Sequence, residues 1–127
     1  LATLALVACG GGGDEDDGSP TAPRTRRVRF EIVGTHSGTI NVITTTSLGD
    51  NATRTAASLP WVFDTVYGSD TRGVGMGGQT DPARRGRDGE TANARIYVDG
   101  ELVSQSGVQT ASTSGVIVLP SQSHVFR

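Results

Sequence analysis

Apolar and polar residues alternate along much of the chain, with the period of strands. In Val28-Arg29-Phe30-Glu31-Ile32 an apolar side chain falls at every second position and charges fall between, the pattern of a half-buried strand. Gly34 to Gly38 breaks it. Thr39 to Thr46 resumes it, with Ile40 and Val42 on one face and a threonine run behind them; β-branched residues are stiff at χ1 and favour pleated backbone. A long loop is expected from there to Leu59, with Gly49-Asp50-Asn51 as its turn signal. Pro60 suits only a strand start or edge, so the next strand is predicted over Trp61 to Tyr67, with Trp61, Phe63, Thr65 and Tyr67 on one face. Arg72 to Gly78 reads as a weak, glycine-rich strand carrying Val74 and Met76. Gln79 to Glu90 is nearly devoid of apolar residues and is expected to be an exposed loop. Thr91 to Val98 alternates through Ala92, Ala94 and Ile96. Asp99-Gly100 then signals a type I′ hairpin that returns along Glu101 to Ser106. Ser114 to Leu119 is the last predicted strand.

These segments make about seven strands and no amphipathic helix. The expectation is an all-β fold: one small immunoglobulin-like β-sandwich over residues 24–127, which suits a chain of 127 residues with no internal repeat.

The first 23 residues carry a different pattern. Leu1 to Ala8 is an apolar run too short to span a bilayer. It lacks an initiator Met and a basic leader, so residues 1–8 are expected to be part of a lipoprotein signal peptide. The run ends in Leu6-Val7-Ala8-Cys9, which resembles a bacterial lipobox. Its small residues admit the peptidase, and its cysteine receives the lipid at the membrane surface. Residues 9–23 read as a tether. Gly10 to Gly13 form a spacer, Asp14-Glu15-Asp16-Asp17 a solvated acidic block, and Ser19-Pro20-Thr21-Ala22-Pro23 an extended linker. Cys9 is therefore the expected lipidation site, with the domain held outside the cytoplasm, in the periplasm or at the cell surface.

Charge adds one distinction. The net charge is −2, but four of the thirteen acids lie in the tether. Beyond Pro23 eleven arginines face nine acids, and no lysine occurs. Arg24, Arg26, Arg27 and Arg29 crowd the domain entrance; they read as a solvated face that neutralises the acidic block, with a surface that lies on anionic lipid or glycan as the alternative. Arg84, Arg85 and Arg87 form the most exposed cationic cluster. Guanidinium groups suit phosphate, carboxylate or an acidic protein surface. Nucleic acid is not expected, because no aromatic residues are interleaved with these arginines.

Chemistry is sparse. One cysteine permits neither an intrachain disulfide nor a cysteine-built metal site. His36 and His124 have no partner at ligand spacing and read as surface residues, so neither a metal nor another cofactor is expected. Gly34-Thr35-His36-Ser37-Gly38 lacks the central serine of a nucleophile elbow. Gly73-Val74-Gly75-Met76-Gly77-Gly78 contains Gly-x-Gly-x-x-Gly, but no apolar helix follows to hold a dinucleotide; a bulged or closely packed strand explains the glycines better. Trp61 reads as a core anchor. An enzyme would need a cleft that gathers His36 or His124 with an acid.

Several segments occur together: Val28-Arg29-Phe30-Glu31-Ile32-Val33-Gly34, Ser37-Gly38-Thr39-Ile40-Asn41-Val42, Leu59-Pro60-Trp61, and Ala94-Arg95-Ile96-Tyr97-Val98-Asp99-Gly100-Glu101-Leu102-Val103. In this order they resemble the MmpS family of small mycobacterial membrane proteins, over roughly residues 27–119. The resemblance implies a membrane-anchored extracytoplasmic β-sandwich that is not an enzyme. It also implies an accessory role beside a transporter of the resistance–nodulation–division class, which exports lipids or siderophores. This chain departs from the family in having a lipobox in place of a transmembrane helix, and Ala94 where a cysteine is expected. The contact surfaces expected for a partner are Gln79 to Glu90 and Gly34 to Gly38. The alternative is a surface domain that binds glycan or anionic lipid directly through Arg84, Arg85 and Arg87. The sequence leaves oligomeric state open.

Overall fold

The computed structural model describes residues 24–46 and 49–126; the signal run, Cys9 and the tether lie outside them. The described chain is all β. Nine strands run in order: β1 (Arg26–Gly34), β2 (Ile40–Thr45), β3 (Asn51–Ala56), β4 (Trp61–Tyr67), β5 (Gly73–Thr80), β6 (Thr91–Val98), β7 (Glu101–Gln105), β8 (Gln109–Thr110) and β9 (Val118–Val125). They form two antiparallel sheets packed as a sandwich. One has the order β4-β1-β6-β7, with β8 also on β6, and the other β3-β2-β5-β9.

The alternation sets which face is buried. In β1, Val28, Phe30 and Ile32 point inward and are at most 1% exposed, while Arg27 and Arg29 point outward. Ile96, Ala94 and Ala92 of β6 meet them from the same sheet, and Ile40, Val42, Val74, Met76 and Leu119 close the core from the other sheet. Aromatic rings line one side of this core. Phe30 stacks on Phe63 with centroids 6.3 Å apart, Phe63 on Trp61 at 6.4 Å, and Tyr67 meets Phe30 edge-on at 6.5 Å, separations favourable for aromatic pairs. Trp61 is half-buried and packs against the core, with the predicted face of its strand turned inward. The Tyr67 hydroxyl donates to the Thr45 carbonyl of the opposite sheet. Burial pushes its pKa up to about 12, so the phenol stays a donor.

Three expectations change. Asn51 to Ala56, read as loop, is the edge strand β3. Its inward residues are Ala52, Arg54 and Ala56, too small and polar to signal a strand. The last strand is not Ser114 to Leu119 but Val118–Val125. Ser112 to Gly115 is a turn in which Gly115 N donates to Ser112 O, and Gly115 has φ +78°. Finally, β5 extends to Thr80, so the exposed loop begins two residues later than read. The Asp99-Gly100 hairpin is as predicted, with φ +51° and +87° as a type I′ turn requires. The glycine run of β5 does contain a bulge, between Met76 and Gly78.

The strands give the sandwich two poles. The entry of β1 at Arg26, opposite Tyr67, lies with the Asp99-Gly100 turn and the end of β9. Gly34, opposite Ala92, lies at the other pole with Ile40 and Thr80. Nine extended residues separate the poles by about 30 Å. Phe30 sits midway and is fully buried. Phe30→Ala is expected to cost about 3–5 kcal/mol, read by urea denaturation of the whole chain; a loss under about 1 kcal/mol contradicts this placement of the core.

Candidate functional site: a clamped arginine loop

At the pole opposite the chain entry, the segment between β5 and β6 carries Arg84, Arg85 and Arg87. All three are exposed, as read from sequence. Their backbone, in contrast, is held at several points. Thr39 N donates to Arg84 O at 2.9 Å, Gly86 N to Gly115 O at 3.0 Å and Gly89 N to Ala111 O at 3.1 Å. Asp81 starts the segment by accepting Ala83 N at 2.9 Å through its carboxylate. The Arg85 side chain folds back, with Nε donating to Pro82 O at 3.1 Å.

Beneath the loop lies a cluster that the sequence did not signal. His36, read as a surface residue, is 3% exposed, and its side chain is fully buried. Its position follows from β1. Thr35 N and His36 N both donate to Thr91 O, at 2.9 and 3.0 Å, which turns the chain inward after Gly34. The imidazole Nε2 lies 2.9 Å from Thr80 Oγ1. That hydroxyl accepts Ile117 N at 2.9 Å. On the other side Nδ1 is 3.5 Å from Glu90 Oε1 and has no hydrogen bond within the described residues. The tautomer with its proton on Nδ1 turns an N–H toward the carboxylate and lets Thr80 donate to Nε2.

Glu90 Oε1 gathers most of the donors. Ser37 N and Ser37 Oγ each donate to it at 2.9 Å, and Arg87 N at 2.8 Å. The backbone N–H groups of Ser37 and Arg87 hold its pKa down to about 2, with the Ser37 hydroxyl and the nearby His36 adding to them against the effect of burial. Gly86 passes directly over the pair. A Cβ there would lie 2.4 Å from Glu90 Oε1 and 2.6 Å from the His36 ring.

Glu90, His36 and Thr80 follow the order acid, imidazole, hydroxyl of a hydrolytic triad. Thr80, however, is 2% exposed and its oxygen already accepts a backbone N–H. The trio has no open side from which a substrate reaches the hydroxyl. What it does chemically is fix three segments, at residues 36–37, 80 and 86–90, against one another.

The remaining candidates lie apart. His124 sits on β9 opposite Val74, at the far end of β5 from Thr80, and meets Phe126 edge-on at 6.1 Å. The Gly34–Gly38 segment, expected to be a contact surface, leaves Gly34, Thr35 and Ser37 exposed and buries His36 and Gly38. A Cβ on Gly38 would lie 2.5 Å from Arg84 O, so the turn is packed under the arginine loop. Of the entrance arginines, Arg24 pairs with Asp99 at 2.9 Å and Arg29 with Asp64 at 2.8 Å, while Arg26 lies 4.5 Å from the centroid of Phe126. Among the described residues no three His, Cys, Asp or Glu side chains converge as metal ligands. Cys9 is outside the described residues. No known family model matches the chain, and no curated protein matches it.

The clamp has a pH signature. The Glu90 pKa falls from the ordinary 4.5 to about 2 on folding. Its contribution to stability is therefore complete above about pH 4.5 and is lost as pH falls toward 2. Urea midpoints measured from pH 6 to pH 2 are expected to fall less steeply in Glu90→Gln than in the parent chain. Equal slopes contradict the role given to this carboxylate. Gly86→Ala is expected to destabilise by about 1–3 kcal/mol, the range for overpacking a filled site; an unchanged midpoint shows that the loop is not pressed onto the pair.

Proposed function

We propose that the chain is a non-enzymatic binding module of the bacterial envelope, anchored by lipid on Cys9 outside the cytoplasm. In this reading it serves as an accessory subunit to a membrane export complex of the resistance–nodulation–division class. The observation that carries the reading is the clamped loop: three exposed guanidinium groups on a backbone fixed from below by Glu90, His36 and Thr80. A loop ordered before binding loses little conformational entropy when a partner docks, and guanidinium groups match carboxylates on an acidic protein surface. Its position supports a partner rather than the anchoring bilayer, since it occupies the pole opposite Arg24, where the tether joins the domain. The lipobox spacing and the family resemblance support the location and the transport role.

Two measurements test the reading. A photo-crosslinking residue in place of Ala83, which is exposed beside Arg84, is expected to capture one main envelope protein in intact cells. Arg84→Ala, Arg85→Ala and Arg87→Ala together are expected to lower that capture about tenfold, equivalent to ~1.4 kcal/mol. Capture unchanged by the three substitutions removes the loop from the function, and capture of envelope glycan favours the direct-binding alternative. Intact mass of the membrane-extracted protein is expected to show acylated Cys9 as the first residue. A bare thiol behind residues 1–8 contradicts the anchor.

A further inference from the structure

The outer face of the β4-β1-β6-β7 sheet holds a shallow depression of about 630 Å3, at the pole where the chain enters the domain. It is lined by Arg27, Arg29, Asp64, Val66, Tyr97 and Gly100, among others. The strand register places these side chains together. Asp64, Arg29, Tyr97 and Leu102 stand opposite one another across four strands, and Arg27 stands opposite Val66 one step nearer the pole.

Most charges here are matched. Arg29 meets Asp64 through two hydrogen bonds, at 2.8 and 3.2 Å. Arg95 lies 3.5 Å from Glu31, and Arg24 pairs with Asp99. Glu101 stands opposite Val98, on the other side of the sheet from Tyr97. What remains is the Arg27 guanidinium. Among the described residues it and the Tyr97 hydroxyl carry neither ion pair nor hydrogen bond. Two donors thus face the concavity without a hydrogen-bond partner of their own, beside Asp64 and Glu31, which also line it and lie against Arg29 and Arg95. Exposed aliphatic side chains share this face with the charged ones. Val66 is 56% exposed, Val62 44% and Leu102 43%, all on this face. A cation and a phenol set among exposed aliphatic groups is the arrangement that sits at a lipid interface.

We propose that this depression binds the phosphodiester headgroup of an anionic phospholipid, so that this face of the sandwich lies on the bilayer. Arg27 and Tyr97 donate to the phosphate, and Val62, Val66 and Leu102 rest against the glycerol and upper acyl region. Chain geometry favours a bilayer over a soluble anion. The described chain begins at Arg24, paired to Asp99 beside Gly100 of the depression. The fifteen residues from Cys9 to Pro23 reach at most about 50 Å. Seating this face on the membrane lays the strands along the bilayer, with the arginine loop at the end of the sandwich away from the chain entry. The proposal rests on the membrane-anchored reading above but uses no acyl chain of its own.

The test is co-sedimentation of the full chain carrying Cys9→Ser, so that acylation plays no part. Vesicles of phosphatidylcholine are compared with vesicles that also contain phosphatidylglycerol, and the neutral vesicles report any insertion of the apolar residues 1–8. Binding is expected only with phosphatidylglycerol. Arg27→Ala is expected to weaken it about fivefold, the effect of one basic residue at an anionic surface. The Arg84, Arg85 and Arg87 triple substitution is expected to leave it unchanged. Equal binding to both vesicles, no binding to either, no effect of Arg27→Ala, or loss with the triple substitution each overturns the proposal. Failure of the anchor itself reads out separately, as an unacylated Cys9 in the mass of the parent chain.

Discussion

One carboxylate oxygen organises the far pole of this sandwich. Glu90 Oε1 accepts from Ser37 N, Ser37 Oγ and Arg87 N and lies against a fully buried imidazole. Charge-assisted hydrogen bonds are about twice as strong as neutral ones, and here three of them meet on one atom. Their donors come from the two ends of what would otherwise be unrelated loops. Residues 36–37 are tied to residues 86–90, and through His36 and Thr80 both are tied to the end of β5. The backbone of the arginine loop is fixed as a consequence, and its guanidinium groups project from a rigid base rather than a mobile segment.

The clamp also explains two glycines. Gly86 crosses the His36–Glu90 pair where no side chain fits. Gly115 combines φ +78° with a position 2.1 Å from Gly86 O for any added Cβ, so both backbone freedom and close approach require glycine there. The arginine loop is therefore gripped from two sides: from the acid–imidazole pair below and from the β8–β9 turn beside it.

Much of the fold was legible in the chain. The alternation through Val28, Phe30 and Ile32 predicts both the strand and its buried face. Asp99-Gly100 predicts a hairpin because the turn chemistry is local. What escaped was tertiary in origin. β3 has Ala52, Arg54 and Ala56 on its inner face. Its place in the sheet comes from pairing with β2 and from Arg54, which lies 3.6 Å from the centroid of Phe63. The apolar run Val116-Ile117-Val118-Leu119 reads as one strand but is split. Ile117 fills the core ahead of the strand, and pairing of β9 with β5 starts only at Val118. His36 gave no signal, because its partners Thr80 and Glu90 lie 44 and 54 residues away. The exposed arginines were legible from their clustering in a stretch almost without apolar residues, whereas the contacts that hold their backbone were not.

The poles organise the functional account. Arg27 and the chain entry lie at one end, the clamped loop at the other, and the aromatic row of Trp61, Phe63, Phe30 and Tyr67 runs between them. The central claim is that the arginine loop is held as firmly as the sheets. Amide hydrogen exchange on the full chain tests it most directly. The account predicts that the Ser37, Gly86 and Arg87 amides exchange as slowly as those of β1, since each donates to a partner within the clamp. Exchange of Gly86 and Arg87 at the rate of an unfolded chain, while β1 stays protected, would contradict it.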